Sequence, residues 1–307
     1  MAGCSWLGIG HASTAASSGA AKESALCPAK LPATHHYFGL AMPSAASSVN
    51  SVKKFATLVG ASPNMVAYYA TFGQPFDVVK TCDIAEDGAL PLIQLDPDHT
   101  AVAKIGAGYY NNYISNFAAA VKQYGDPVVI SFAHEMNGDW YSWGYSPTPR
   151  RKGTPASAVV SAWRQIHNVF AAAGATNVIW LWTPNVFYNG SPPLSEYYPG
   201  NSYVDWVGLD GYFWLPRDTF QSVFGQTLQQ VSRITSKPVL IAETGITKQS
   251  GNGLQVASLF HGARTVPNIL GFVYFDWLGT DDWRLENDPR ALAAFRNQVH
   301  IGLPGAK

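Results

Sequence analysis

From residue 37 onward, short and almost unbroken apolar runs alternate with longer stretches in which apolar residues return every three to four positions. The first kind predicts strands buried on both faces and the second amphipathic helices, and their alternation predicts a parallel sheet with crossover helices. Eight runs can be counted, at 37–41, 65–71, 90–96, 128–134, 178–183, 204–212, 239–243 and 269–277. The helical period is clearest at 109–124, 156–173, 219–235 and 254–264, with stops at Gly125, Gly174 and the Lys237-Pro238 pair. Eight such units in about 265 residues predict an α/β fold, a closed (β/α)8 TIM barrel forming a single domain, rather than an open doubly wound sheet.

Composition supports a large core, with 47% hydrophobic and 13% charged residues. Residues 11–25 are small and polar without periodicity, so a flexible leader is expected over 1–27 and the barrel domain over 28–307. Lys plus Arg equals Asp plus Glu, and no basic run stands out, which argues against nucleic acid and anionic membranes as partners. No apolar run is long enough to span a membrane. Three cysteines allow at most one internal disulfide, and Cys27 with Cys82 is the favoured pair. The opening Met1-Ala2-Gly3-Cys4 resembles the end of a bacterial lipoprotein signal, so the leader reads as a remnant of an export or lipoprotein segment. The expected location is secreted or cell-surface, with Cys4 a candidate anchor. A monomer is expected.

In this fold, chemistry gathers at the C-terminal ends of the strands. The fourth apolar run ends on His134-Glu135 and the seventh on Glu243, which places one glutamate on each side of the barrel mouth. Cleavage of a glycosidic bond needs one carboxyl to protonate the leaving oxygen and another to attack, because the transition state is oxocarbenium-like. Strands four and seven face each other across a narrow barrel, so the pair can converge to the roughly 5–5.5 Å that retention requires. Competing chemistries fail on spacing. Gly8-Ile9-Gly10 lacks the third glycine at Ser13, no phosphate-cradling or serine-elbow motif occurs, and the zinc-type H-E-x-x-H reading of His134-Glu135 ends at Gly138. No metal and no cofactor is expected.

The segment His134-Glu135-Met136-Asn137-Gly138-Asp139-Trp140-Tyr141-Ser142-Trp143-Gly144 strongly resembles glycoside hydrolase family 26, and the resemblance runs on through Trp182-Thr183-Pro184-Asn185, Asp205 to Tyr212, and Ile241 to Gly245. It implies Glu135 as acid/base and Glu243 as nucleophile, with His134 and Tyr212 supporting them. It further implies substrate contacts from Trp140, Trp143, Asn185 and Trp277. The implied partner is a polysaccharide and the implied activity a retaining, endo-acting β-glycanase, with β-1,4-mannan first. Mixed-linkage β-1,3-1,4-glucan or β-xylan is the alternative, because Tyr141-Ser142 and Ser131 depart from the pattern frequent in mannanases. A reading of another class is a barrel that binds carbohydrate without cutting it, whose signature would be loss of a catalytic glutamate.

Overall fold

The computed structural model describes residues 26–27, 29–31, 36–42, 48–146, 153–248 and 253–302. The leader lies almost wholly outside these residues, as do Cys4 and Pro28. Eight parallel strands close into a barrel in sequence order: β1 (Tyr37–Ala41), β2 (Met65–Thr71), β3 (Leu90–Asp96), β4 (Val128–Phe132), β5 (Val178–Trp182), β6 (Trp206–Asp210), β7 (Val239–Thr244) and β8 (Ile269–Phe275). Closure is made by β1 against β8, from Tyr37 opposite Gly271 to Ala41 opposite Phe275. Helices α1 (Val49–Val59), α2 (Val78–Glu86), α3 (Val102–Gly106), α4 (Asn111–Tyr124), α5 (Ala156–Ala173), α6 (Phe220–Ile234), α7 (Gly253–Thr265) and α8 (Pro289–Ile301) connect and surround the strands.

The side-chain alternation along each strand divides the core in two. One set, including Met65, Ala67, Leu90, Leu92, Val129, Leu181, Leu240 and Val273, fills the barrel interior. The other, including Val66, Tyr68, Ile93, Ile130, Ile241 and Phe272, meets the apolar faces of the helices. Local chemistry marks the helix ends. Ser48 caps α1 through the Ser51 amide, Thr219 and Ser222 form a reciprocal capping box on α6, and Asp288 caps α8 ahead of Pro289. Cys27 and Cys82 are joined in a disulfide with Cα atoms 5.7 Å apart, which ties the chain before β1 to α2. No helix among the described residues is long and apolar enough to cross a membrane.

Four strands are shorter than their apolar runs suggest, the fifth by the single residue after Trp182. The fourth ends at Phe132 rather than His134, because Ala133 and Glu135 both take left-handed backbone angles, φ +54° and +51°. The sixth covers Trp206–Asp210 only, and the eighth stops at Phe275, two residues before Trp277.

Candidate active site

Strict alternation would turn Glu243 outward with Val239 and Ile241, which pack against the helices. Register shifts on both sides of β7, at Leu209/Asp210 on β6 and between Ile241 and Thr244 toward β8, break the alternation. Such irregularities re-aim side chains, and here Glu243 turns into the mouth. The mirror device operates on β4, where the left-handed pair swings Glu135 inward while its amide bonds to the Thr183 carbonyl at 2.8 Å. Both glutamates line a single cavity of about 700 Å³, together with Trp140, Tyr141, Asn185, Tyr188, Tyr212, Trp214, Phe275 and Trp283.

The two carboxyls sit in different surroundings. Tyr69 at the end of β2 donates its hydroxyl to Glu243 Oε2, and Tyr212 donates to Oε1. Burial, reinforced by the Glu243 charge, pushes both phenols well above their ordinary value, so they remain protonated donors. Hydrogen bonds of this kind stabilise a charged carboxylate and fix its direction. Glu135 is 6% exposed. Burial raises its carboxyl above the ordinary range; the nearby His134 charge pulls it back and Glu243 pushes it up again. Its Oε2 accepts from the Trp140 indole N–H and its Oε1 from Asn185 Nδ2, each at 2.5 Å.

Trp140 reaches Glu135 only because the chain doubles back tightly. A Cβ at Gly138 would collide with the Trp140 ring, so that glycine serves a close approach. Asn137 and Asn185 exchange side-chain and backbone hydrogen bonds at 2.8 and 2.9 Å, which locks the β4 loop to the β5 loop. Tyr188 adds a bond to the Asn137 carbonyl at 2.9 Å and lies 5.8 Å, ring to ring, from Trp140.

His134 is buried between Asp96 and Tyr141. Its Nδ1 lies 2.7 Å from Asp96 Oδ1 and its Nε2 3.2 Å from the Tyr141 hydroxyl. Burial alone would lower its pKa, but Asp96 first, then Glu135 and Glu243, hold it up to about 9. His134 is therefore a cation at neutral pH, donating from both nitrogens.

Of the eight residues expected at the site, Glu135, Glu243, His134, Tyr212, Trp140 and Asn185 are brought together. Asn185 spends its side-chain amide on Glu135 while still lining the cleft. Trp143 is a correction: it is 3% exposed, stacks on Tyr141 at 4.3 Å and donates to the His134 carbonyl at 2.8 Å, so it buttresses the loop and does not reach the cleft. Trp277 lies beyond the end of β8 and is 39% exposed, and the cleft wall after that strand is made by Phe275 and Trp283. Sequence reading missed Tyr69, Asp96, Tyr141 and Trp214. Tyr69 and Asp96 share the signal that exposed the glutamates, a polar tip at the C-terminal end of an apolar strand.

Residues 95–250, half of the chain, match the family model of Glycosyl hydrolase family 26. This chain belongs to glycosyl hydrolase family 26. It is similar to Endoglucanase H of Acetivibrio thermocellus, 31% identical over 270 residues, covering 83% of this chain and 29% of that protein. It is also similar to a mannan endo-1,4-beta-mannosidase of Bacillus subtilis strain 168, 30% identical over 176 residues, or 56% of this chain and 44% of the other. The family 26 chain thus spans less than half the length of each of these relatives. Solved structures share its fold: Bacillus subtilis mannanase man26 superposes with a TM-score of 0.60 at 18% identity, covering 86% of both chains. The catalytic domain of the Bacillus sp. JAMB-750 endo-beta-1,4-mannanase gives 0.64 at 17% identity, covering 86% of this chain and 85% of that one.

Proposed function

We propose that this chain is a retaining, endo-acting β-glycanase whose nucleophile is Glu243 and whose acid/base is Glu135. The observation that carries this reading is two buried carboxyls on one cleft with different partners: Glu243 accepts from two phenols, while Glu135 accepts from an indole and an amide and is pushed by burial toward its protonated form. Pairs of carboxyls set apart in this way divide the roles of nucleophile and acid. Glu243 attacks the anomeric carbon as Glu135 gives its proton to the leaving oxygen. The glycosyl ester that forms removes the Glu243 charge, and one of the influences raising Glu135 goes with it. The deprotonated Glu135 then takes a proton from water, which attacks the same carbon and releases the sugar with its configuration retained.

β-1,4-Mannan is the first substrate, supported by the mannosidases among the relatives. Mixed-linkage β-glucan is a second reading, favoured by the much larger share of the chain that aligns with Endoglucanase H. The disulfide between Cys27 and Cys82 supports a secreted or cell-surface setting, since such bonds persist in oxidising compartments. The test is reducing-sugar release from mannan, mixed-linkage glucan and xylan by wild type, Glu135→Gln and Glu243→Ala. Release by wild type alone, on one or more of the three, is expected. Release by all three proteins alike, or by none, overturns the proposal.

A further inference from the structure

One large aromatic side chain on the cleft wall is left without a role by this chemistry. Trp214, 47% exposed, follows β6 and faces the same cavity as the two glutamates. Its loop is pinned from three directions. Asp218 Oδ2 accepts from the amides of Trp214 and Leu215 at 2.9 and 2.7 Å, Thr247 donates to the Trp214 carbonyl at 3.3 Å, and Gln255 Nε2, from a fully buried side chain on α7, donates to the carbonyls of Leu215 and Pro216. The Phe213 amide bonds to the Gly245 carbonyl at 2.9 Å, and the Thr247 amide returns to the Phe213 carbonyl at 3.0 Å, so the chain entering Trp214 is paired to the extension of β7. The backbone that carries the indole is held in place while much of the ring surface stays in water.

Its ring neighbours lead back to the chemistry. Trp214 packs at 77° to the buried Trp283, centroids 4.7 Å apart, and lies 6.2 Å from Tyr212, whose hydroxyl holds Glu243. Trp283 in turn sits 4.4 Å from Tyr212, in space that a Cβ at Gly245 would crowd. Trp214 is thus one ring further out than the side chain that orients the nucleophile. An exposed indole on a fixed backbone loses little conformational freedom when a ligand covers it, and the electron-rich ring face attracts the C–H groups on the flat face of a pyranose.

We propose that Trp214 is a sugar-stacking platform, a binding subsite for a β-linked hexose unit adjoining the one whose bond is cut. This inference rests on the proposed glycanase activity, and it adds a determinant of substrate length. Without a second sugar in reach, the platform contributes nothing to turnover.

The test compares wild type, Trp214→Ala and Trp214→Phe on β-1,4-manno- and mixed-linkage gluco-oligosaccharides of increasing length. The same oligosaccharides are titrated calorimetrically into the inactive Glu243→Ala protein with and without Trp214→Ala. Trp214→Ala is expected to lose about tenfold in kcat/KM on the longer oligosaccharides, carried by KM rather than kcat, as lost uniform binding requires. The loss should shrink toward the shortest substrate cleaved, Trp214→Phe should recover a large part, and the titration should show the same length-dependent weakening. An equal loss at every length, or none at any length, overturns the platform. If wild type cleaves no oligosaccharide, the glycanase reading falls and the titration alone decides Trp214.

Discussion

Replacing Asp96 by Asn should abolish a pH-dependent part of the stability of this barrel. His134 is 1% exposed, and Asp96, 2.7 Å away, is the main influence holding its pKa up to about 9 against burial. In the unfolded chain an imidazole titrates near ~6.5. A folded value above the unfolded one means that the charged form stabilises the fold. That contribution is complete below pH ~6.5 and is lost as pH rises toward about 9. The difference is about 2.5 pH units, and at ~1.4 kcal/mol per unit it amounts to about 3 kcal/mol. Asp96→Asn keeps the shape and removes the charge, so burial dominates and His134 becomes neutral. Urea unfolding of the two proteins between pH 6 and 9.5 measures the effect. Wild type should lose about 3 kcal/mol across that range from this group, and the variant should start lower and lack that decline. A constant offset between the two curves would mean that Asp96 does not set this pH dependence. Because the His134 charge also pulls Glu135 down, the alkaline limb of kcat/KM should move to higher pH in the variant.

Further outcomes follow from the same geometry. Tyr69→Phe removes one of two hydrogen bonds to Glu243; a bond to a charged group contributes about 1.5–3 kcal/mol, so kcat/KM should fall by about ten- to a hundredfold, and near-wild-type kinetics would remove Tyr69 from the site. Glu135→Gln should lose about 10²–10⁴ in rate on polysaccharide and much less on aryl glycosides with a good leaving group; equal losses on both would contradict an acid role. Asp210, fully buried at the end of β6 with neither carboxylate oxygen hydrogen-bonded, is pushed well above its ordinary value by burial and then by Glu243 and Glu135. Its raised value destabilises the fold as pH climbs above that of an unfolded aspartate. Asp210→Asn should therefore remove a decline of about 1.4 kcal/mol per pH unit beginning near pH ~4, read from the same unfolding series, and an unchanged slope would count against it.

The barrel was legible because eight apolar runs, each buried on both faces, leave a continuous signal whose bounds match β1, β2 and β3 residue for residue. The two glutamates were legible for a related reason: a charged residue at the C-terminal end of such a run stands at the rim where this fold gathers its chemistry. What stayed hidden depends on backbone shape or on contact across the mouth. Nothing in Ala133 or Glu135 announces a left-handed conformation, and the register shifts that turn Glu243 inward leave no mark in the apolar pattern. Tyr68 and Tyr69 look alike in sequence, yet alternation sends Tyr68 to Thr81 beneath α2 and Tyr69 to Glu243. Trp143 was drawn to the cleft by residue type, but aromatic rings serve core and binding surface equally, and only packing separates them.

The division of labour between Glu243 and Glu135 is tested most directly by chemical rescue. Glu243→Ala should fold normally and lose turnover, and added azide should restore cleavage of an activated glycoside by taking the place of the missing carboxylate. The expected product is a glycosyl azide of inverted anomeric configuration, identified by nuclear magnetic resonance. Undiminished hydrolysis by Glu243→Ala, or rescue that gives the retained configuration, would contradict that division of labour.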